Sequence, residues 1–266
     1  MSAQSITRRL TQADLARLHA AGEKVVMFTC YDASFARLLD GAGVDALLIG
    51  DSLGNVIQGH DTTLPVTVAD IAYHTAAVKR GSDRPFIIAD MPFGSYQEAP
   101  AQALRNAVTL LAAGAQMVKL EGGREMAATV DFLVSRGIPV CGHLGLTPQS
   151  VHALGGYRVQ GKGEAAAQRL KDDALALQSA GATMLVLEAI PAALAAEVTA
   201  SLAIITIGIG AGKDCSGQVM VVHDAFDIPP GKKARFVRNF MDGATSLADA
   251  AVRNGSYPAP EHTYIG

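Results

Sequence analysis

The chain has 266 residues, 49% of them apolar, and a formal net charge of −3. That length suits one large α/β barrel or two small domains, and the apolar share is enough for a sizeable core. Interspersed charges without a basic stripe exclude a nucleic-acid footprint, and no apolar run is long enough to span a membrane.

Residues Met1 to Leu10 carry two arginines but no long apolar stretch, so they do not read as a secretory signal. Asp14 and Glu23 argue against a transit peptide. Cys30, Cys141 and Cys215 follow neither CxxC nor zinc spacing and read as reduced thiols of a cytoplasmic protein. A short helix is predicted over residues 11–21, with Thr11 as its N-cap, plugging or flanking the body.

A rhythm then begins. Apolar strand-like runs are predicted at Val25–Cys30, Ala46–Gly50, Phe86–Asp90 and Met117–Glu121, then at Pro139–His143, Met184–Glu188, Ile204–Gly208 and Val219–His223. Between them lie stretches of helical period, clearest at Ser34–Leu39, Val68–Lys79, Ala99–Leu111, Glu125–Ser135 and Glu164–Ser179. Gly43, Gly81, Gly114, Gly137 and Gly181 occupy places where a helix-ending glycine belongs. Strand–helix alternation over eight strands predicts a (β/α)8 barrel filling residues 1–266 as one domain. A doubly wound open sheet is the alternative, but no Gly-x-Gly-x-x-Gly turn follows the first strand. Residues 52–67 and 144–163 form long Gly-rich loops of the kind that carry function. Residues 254–266 are predicted to be an extended tail.

Barrel enzymes keep their chemistry at the carboxyl ends of the strands. Five consecutive strands, the second to the sixth, end there in ionisable groups: Asp51, Asp90, Lys119 with Glu121, His143 and Glu188. Alternation puts Lys119 and Glu121 on one face. It also sets Asp51 in phase with Leu47 and Ile49, Asp90 with Phe86 and Ile88, and Glu188 with Val186.

Asp51 and Asp90, on neighbouring strands roughly 5 Å apart, repel unless a cation lies between them. Mg²⁺ held by one or two carboxylates keeps open positions for substrate oxygens. Glu121 is within reach of the ion through a water. Such a site suits an α-keto acid whose enolate the metal and Lys119 stabilise, with Glu188 taking a proton from carbon. His143 is placed to bind substrate carboxylate or to orient a neighbour.

Each residue alone also has a structural reading: Asp51, Asp90 and Glu188 as helix caps, Lys119–Glu121 as an ion pair, His143 as a core histidine. Their joint placement favours a site. Gly208 to Gly212 stand where barrels bind phosphate, although glycine-rich turns are common. His223-Asp224 are read as closing the rim.

Many stretches resemble the ketopantoate hydroxymethyltransferase family. They are Thr29-Cys30-Tyr31-Asp32, Gly50-Asp51-Ser52-Leu53-Gly54, Gly59 to Thr67, Asp90 to Tyr96, and Val118-Lys119-Leu120-Glu121-Gly122-Gly123. Gly142 to Gln149, Gly155-Gly156-Tyr157 to Gly161, Glu188-Ala189-Ile190-Pro191, Gly208 to Gly212 and Gly217-Gln218-Val219 complete them.

The resemblance implies a barrel of the phosphoenolpyruvate/pyruvate superfamily, a homodecamer, with one Mg²⁺ per subunit. It implies transfer of a one-carbon unit from 5,10-methylenetetrahydrofolate to 3-methyl-2-oxobutanoate, giving 2-dehydropantoate for pantothenate synthesis. By the same resemblance Asp51, Asp90 and Glu121 are metal-site carboxylates, and Asp51, Ser52, Asp90, Lys119 and His143 contact the keto acid. Glu188 is the proton acceptor.

Two stretches depart from the family. Cys215-Ser216-Gly217-Gln218 stands where many relatives have Cys-Asp-Gly-Gln, which bears on the folate-side loop. Residues 244–252 are less family-like, which bears on subunit contacts. Rival readings are a superfamily C–C lyase acting on a 2-hydroxy acid, a Lys119 Schiff-base aldolase, and a catalytically silent barrel.

Overall fold

The computed structural model describes residues 8–226, 228, 234–238 and 260–263. Its eight strands pair in parallel in sequence order and close into a barrel, with β8 returning to β1. They are β1 Val25–Thr29, β2 Ala46–Ile49, β3 Phe86–Asp90, β4 Met117–Lys119, β5 Val140–Gly145, β6 Met184–Glu188, β7 Ile205–Ile209 and β8 Gly217–Met220. The predicted (β/α)8 barrel is the observed fold.

Every residue of β1 to β4 is buried, as expected for parallel strands covered on both faces. Alternation then divides them. Met27, Leu48, Ile88, Met117, Cys141 and Val186 pack inside the barrel. Phe28, Leu47, Ile87, Val118, Val140 and Leu187 pack outward in the larger cluster with the helices.

Among the described residues, seven helices of eight residues or more accompany the strands: α1 Gln12–Ala20, α2 Ala33–Gly41, α3 Val68–Gly81, α4 Pro100–Ala113, α5 Ala127–Val134, α6 Glu164–Ser179 and α7 Ala192–Ser201. Their starts follow from sequence. Thr11 and Asp14 form a capping box on α1, Thr67 and Asp70 another on α3, and the Asp32 side chain accepts from Ser34 and Phe35 at α2. Helix α1 is a plug. Leu15 enters the barrel-interior cluster and Leu10 and Leu18 pack beneath it. Leu10 is fixed there by hydrogen bonds to Arg84 and Gln116, which lie just before β3 and β4.

Several predicted details differ. Gly43, Gly114, Gly137 and Gly181 have positive φ at helix ends as expected, but Gly81 does not. It is the last residue of α3, and a Cβ there would lie 2.3 Å from the Ala33 carbonyl oxygen, so it serves close helix packing. Helix α7, rich in alanine on all sides, lacks the amphipathic contrast that marks the others.

No helix lies between β7 and β8. Residues 210–216 make the return as a series of bends, with positive φ at Gly210 and Gly212. The predicted eighth strand ends early, and His223 sits on the helical turn Val222–Ala225 with its ring against Tyr31 and Phe35. Most of the tail predicted over residues 254–266, and all of 244–252, lie outside the described residues. Pro260–His262 form a 3-10 turn. No helix among the described residues is long and apolar enough to cross a membrane.

Candidate active site

The predicted residues meet at the carboxyl ends of the strands. Asp51, Ser52, Asp90, Lys119, Glu121, His143 and Glu188 all line one cavity of about 60 Å³, walled by Leu48, Val186 and Ile209. Asp90 ends β3, Lys119 ends β4 and Glu188 ends β6, each in phase with interior residues below it.

Asp51 reaches the cavity by another route. Its phase with Leu47 and Ile49 directs it to the helix side, because both belong to the outer cluster. Strand β2 stops at Ile49, however, and a turn bonded from Leu53 N–H to Gly50 O and from Gly54 N–H to Asp51 O re-aims the chain. Its backbone N–H then donates to Asp90 Oδ2 at 2.9 Å.

The charges form one buried network. Lys119 Nζ lies 2.9 Å from Asp90 Oδ1 and 3.3 Å from His143 Nδ1. His143 Nδ1 also lies 3.3 Å from Glu121 Oε1, and its Nε2 lies 3.2 Å from Glu188 Oε2. Ser52 Oγ pairs with Tyr31 Oη at 2.8 Å.

Burial, with the neighbouring charges of Asp90 and Glu121, pushes the Asp51 carboxyl up to about 8. Burial pulls Lys119 down, but Asp90, Glu121 and Asp51 outweigh it and hold the ammonium above its ordinary value. Burial and Lys119 also pull His143 down; hydrogen bonding to Glu121 and Glu188 prevails, leaving it up at about 9. The three cysteines are free and buried, and burial pushes their thiols up, to about 12 for Cys30 and Cys141 and about 11 for Cys215. None has the activated environment of a nucleophile.

Sequence reasoning did not single out Gln149 or Tyr96. Gln149 comes from the loop after β5, and its side chain donates to Asp51 Oδ2 at 2.8 Å and to Met91 O at 3.0 Å. Its backbone N–H donates to Glu121 Oε2 at 3.0 Å. Tyr96 Oη lies 2.7 Å from Gln149 Oε1 and accepts from the Glu121 N–H at 3.0 Å. The available signal was the position of Gln149 in a stretch that resembles the family.

Gly210 and Gly212 are closely packed at positive φ: a Cβ on Gly210 would meet the Phe236 ring at 2.7 Å, and one on Gly212 the Ala192 Cβ at 2.6 Å. One expectation is corrected. Ser216 lies at the opposite end of the barrel from the cavity, bonded to Thr206 and to Val25 N–H at the start of β1.

A closed parallel barrel with convergent charged groups at its strand carboxyl ends defines a barrel enzyme. Solved structures place the fold more closely. Phosphonopyruvate hydrolase, in a complex with oxalate and Mg²⁺, matches with a TM-score of 0.63 at 13% identity, over 82% of this chain and 84% of that one. A 2,3-dimethylmalate lyase of the PEP mutase/isocitrate lyase superfamily matches with a TM-score of 0.57 at 19% identity, over 79% and 81%.

Sequence comparison is more specific. Residues 9–260 match the family described as ketopantoate hydroxymethyltransferase. The 3-methyl-2-oxobutanoate hydroxymethyltransferase of Dechloromonas aromatica (strain RCB) is 81% identical over 99% of each chain. That of Aromatoleum aromaticum is 65% identical over 96% of this chain and 97% of its own. The chain belongs to the ketopantoate hydroxymethyltransferase family and is a transferase.

Proposed function

We propose that the cavity binds 3-methyl-2-oxobutanoate with one Mg²⁺, and that the enzyme joins C3 of this keto acid to a one-carbon unit from 5,10-methylenetetrahydrofolate. The product is 2-dehydropantoate. The observation that carries the reading is the meeting of Asp51, Asp90, Lys119 and Glu188 around one enclosed space.

The donor set fits a hard cation. Four carboxyl groups, Asp51, Asp90, Glu121 and Glu188, face one lysine and one histidine in the cavity lining. Burial first, and then that excess of carboxyl groups, raises the Asp51 carboxyl. No group of three or more His, Cys, Asp or Glu side chains among the described residues forms a ready-made cage. Mg²⁺ needs none, because one or two carboxylates with waters and substrate oxygens complete its octahedron. Asp51 and Asp90 would hold it directly and Glu121 through water; bound there, it supplies Lewis-acid polarisation of the keto oxygen.

The chain's own groups do the rest. Lys119, held as an ammonium, sets positive charge against the developing enolate. Its protonated state opposes a Schiff base. Glu188 is the base at C3, and His143 at 3.2 Å orients it. The electron pair left on C3 forms the new bond to the one-carbon unit, and water supplies the hydroxyl of the product. The two bonds from that carbon to the folate nitrogens break, the nitrogens take up the C3 proton and the second proton of water, and tetrahydrofolate leaves.

We also propose a cytoplasmic homo-oligomer, a decamer by resemblance. The exposed Leu38, Tyr73 and Val108, on α2, α3 and α4, offer apolar surface for such an assembly to cover.

The test is deuterium exchange at C3 of 3-methyl-2-oxobutanoate, followed by NMR with Mg²⁺ and with EDTA. Exchange that requires Mg²⁺ is expected. Equal exchange in EDTA overturns the metal's role. No exchange even with tetrahydrofolate added overturns the enolising site.

A further inference from the structure

The loop after β5 brings Gln149 into the barrel mouth, where it is 5% exposed. It is bonded on every polar atom that the site offers. Nε2 faces two oxygens, Asp51 Oδ2 at 2.8 Å and, at 3.0 Å, the Met91 carbonyl, which can only accept. Oε1 faces the Tyr96 hydroxyl at 2.7 Å and Gln97 Nε2 at 3.3 Å. The orientation of the amide is therefore fixed by its partners, since the flipped form would set oxygen against carboxylate and carbonyl. The backbone N–H of the same residue binds Glu121 Oε2 at 3.0 Å, and Tyr96, itself 1% exposed, binds the Glu121 backbone. One residue thus grips two acidic side chains that arise from different strand ends, and each carboxylate keeps one oxygen outside this grip.

We propose that Gln149, oriented by Tyr96, is a positioning residue that sets the spacing and rotation of Asp51 and Glu121 for a divalent cation. The inference rests on the proposed function, because that reading puts the cation between these carboxylates. Gln149 is not among the residues that line the cavity. It fixes the remaining oxygen of each acid at a constant position, Glu121 Oε1 beside His143 Nδ1, so the ion meets a preorganised pair rather than two mobile, repelling side chains. Partners of this kind are worth about 10–100-fold in metal affinity or activity.

The test uses full-length protein, with Mn²⁺ as an EPR-visible substitute for Mg²⁺. Gln149→Met keeps the bulk and removes all four side-chain hydrogen bonds. The expected result is Mn²⁺ binding about 10–100-fold weaker than wild type, with C3 exchange still slowed at saturating Mn²⁺. Affinity and exchange within twofold of wild type overturn the proposal.

If Gln149→Met does not fold, Tyr96→Phe carries the test, because it removes the hydroxyl that binds Gln149 Oε1 and accepts from the Glu121 N–H. At least threefold weaker Mn²⁺ binding is then expected, and unchanged binding overturns the proposal. A wild-type protein that neither binds Mn²⁺ nor exchanges C3 removes the proposed function and this inference together. A wild type that does both, beside an unaffected variant, removes the inference alone.

Discussion

Asp51 and Asp90 are joined by a backbone donor: the Asp51 N–H gives its hydrogen bond to Asp90 Oδ2 across 2.9 Å. One carboxylate therefore positions the peptide that carries the other. The opposite oxygen of Asp90 pairs with Lys119 Nζ at 2.9 Å, so Asp90 is restrained from both sides.

Asp90→Ala removes the nearest partner of a buried ammonium and the acceptor for Asp51. Urea denaturation in EDTA should find the protein about 3 kcal/mol less stable. Asp90→Asn keeps an oxygen for the Asp51 N–H and should lose less. A larger loss for Asn than for Ala would mean that this hydrogen bond is not the restraint.

Glu188→Gln keeps the shape of the side chain and removes the base. C3 deuterium exchange with Mg²⁺ should slow by about 10²–10⁴, while Mg²⁺ still raises the unfolding midpoint. Normal exchange in this variant would sink the assignment.

Metal-free protein should lose stability as pH rises. Asp51 is raised from 3.8 to about 8 and His143 from 6.5 to about 9. A raised group binds more protons in the folded state than in the unfolded one, so its contribution is full below the unfolded value and lost through the folded one. The window is thus pH 4 to 8 for Asp51 and 6.5 to 9 for His143. Mg²⁺ requires the carboxylate form and should raise the midpoint more at pH 8 than at pH 6. Thermal melts in EDTA and in Mg²⁺ at the two pH values decide it; an equal lift at both would contradict the site electrostatics.

The glycines at helix ends should separate by mechanism. Gly81→Ala drives a methyl against the Ala33 backbone and should cost about 1–3 kcal/mol by overpacking. Gly43→Ala meets open space but holds φ at +79°, so its cost should be about 1 kcal/mol of backbone strain. Denaturation curves compare them, and a harmless Gly81→Ala would mean that α2 and α3 shift apart freely.

Borohydride added with 3-methyl-2-oxobutanoate should leave Lys119 unmodified, because its amine stays protonated beside Asp90. A stable adduct found on Lys119 by mass spectrometry would replace the metal reading with covalent catalysis.

The site was legible where the period of a strand continues to its end. Asp90, Lys119 and Glu188 each end a strand in the phase of the interior residues below them, and strand β6 has its predicted bounds. Asp51 lies two residues past the end of β2, where a turn has replaced alternation, so it reached the site although its parity pointed outward. Gln149 bonds a residue 98 positions earlier in the chain, and no local pattern encodes such a meeting. The direct run from β7 to β8 escaped for a related reason: glycine-rich segments carry no helical period, and only the barrel's closure shows that a short bent return suffices.

Leu15 stoppers the lower end of the barrel while the charged groups gather at the upper end. Among the described residues the cavity is therefore closed from below by the packed interior, and it faces the strand carboxyl ends. Whatever settles first against Lys119 lies beneath whatever follows, and departure runs in reverse. A small keto acid at the floor and a bulky carrier above it would give the catalytic cycle a built-in order of arrival that owes nothing to a moving part.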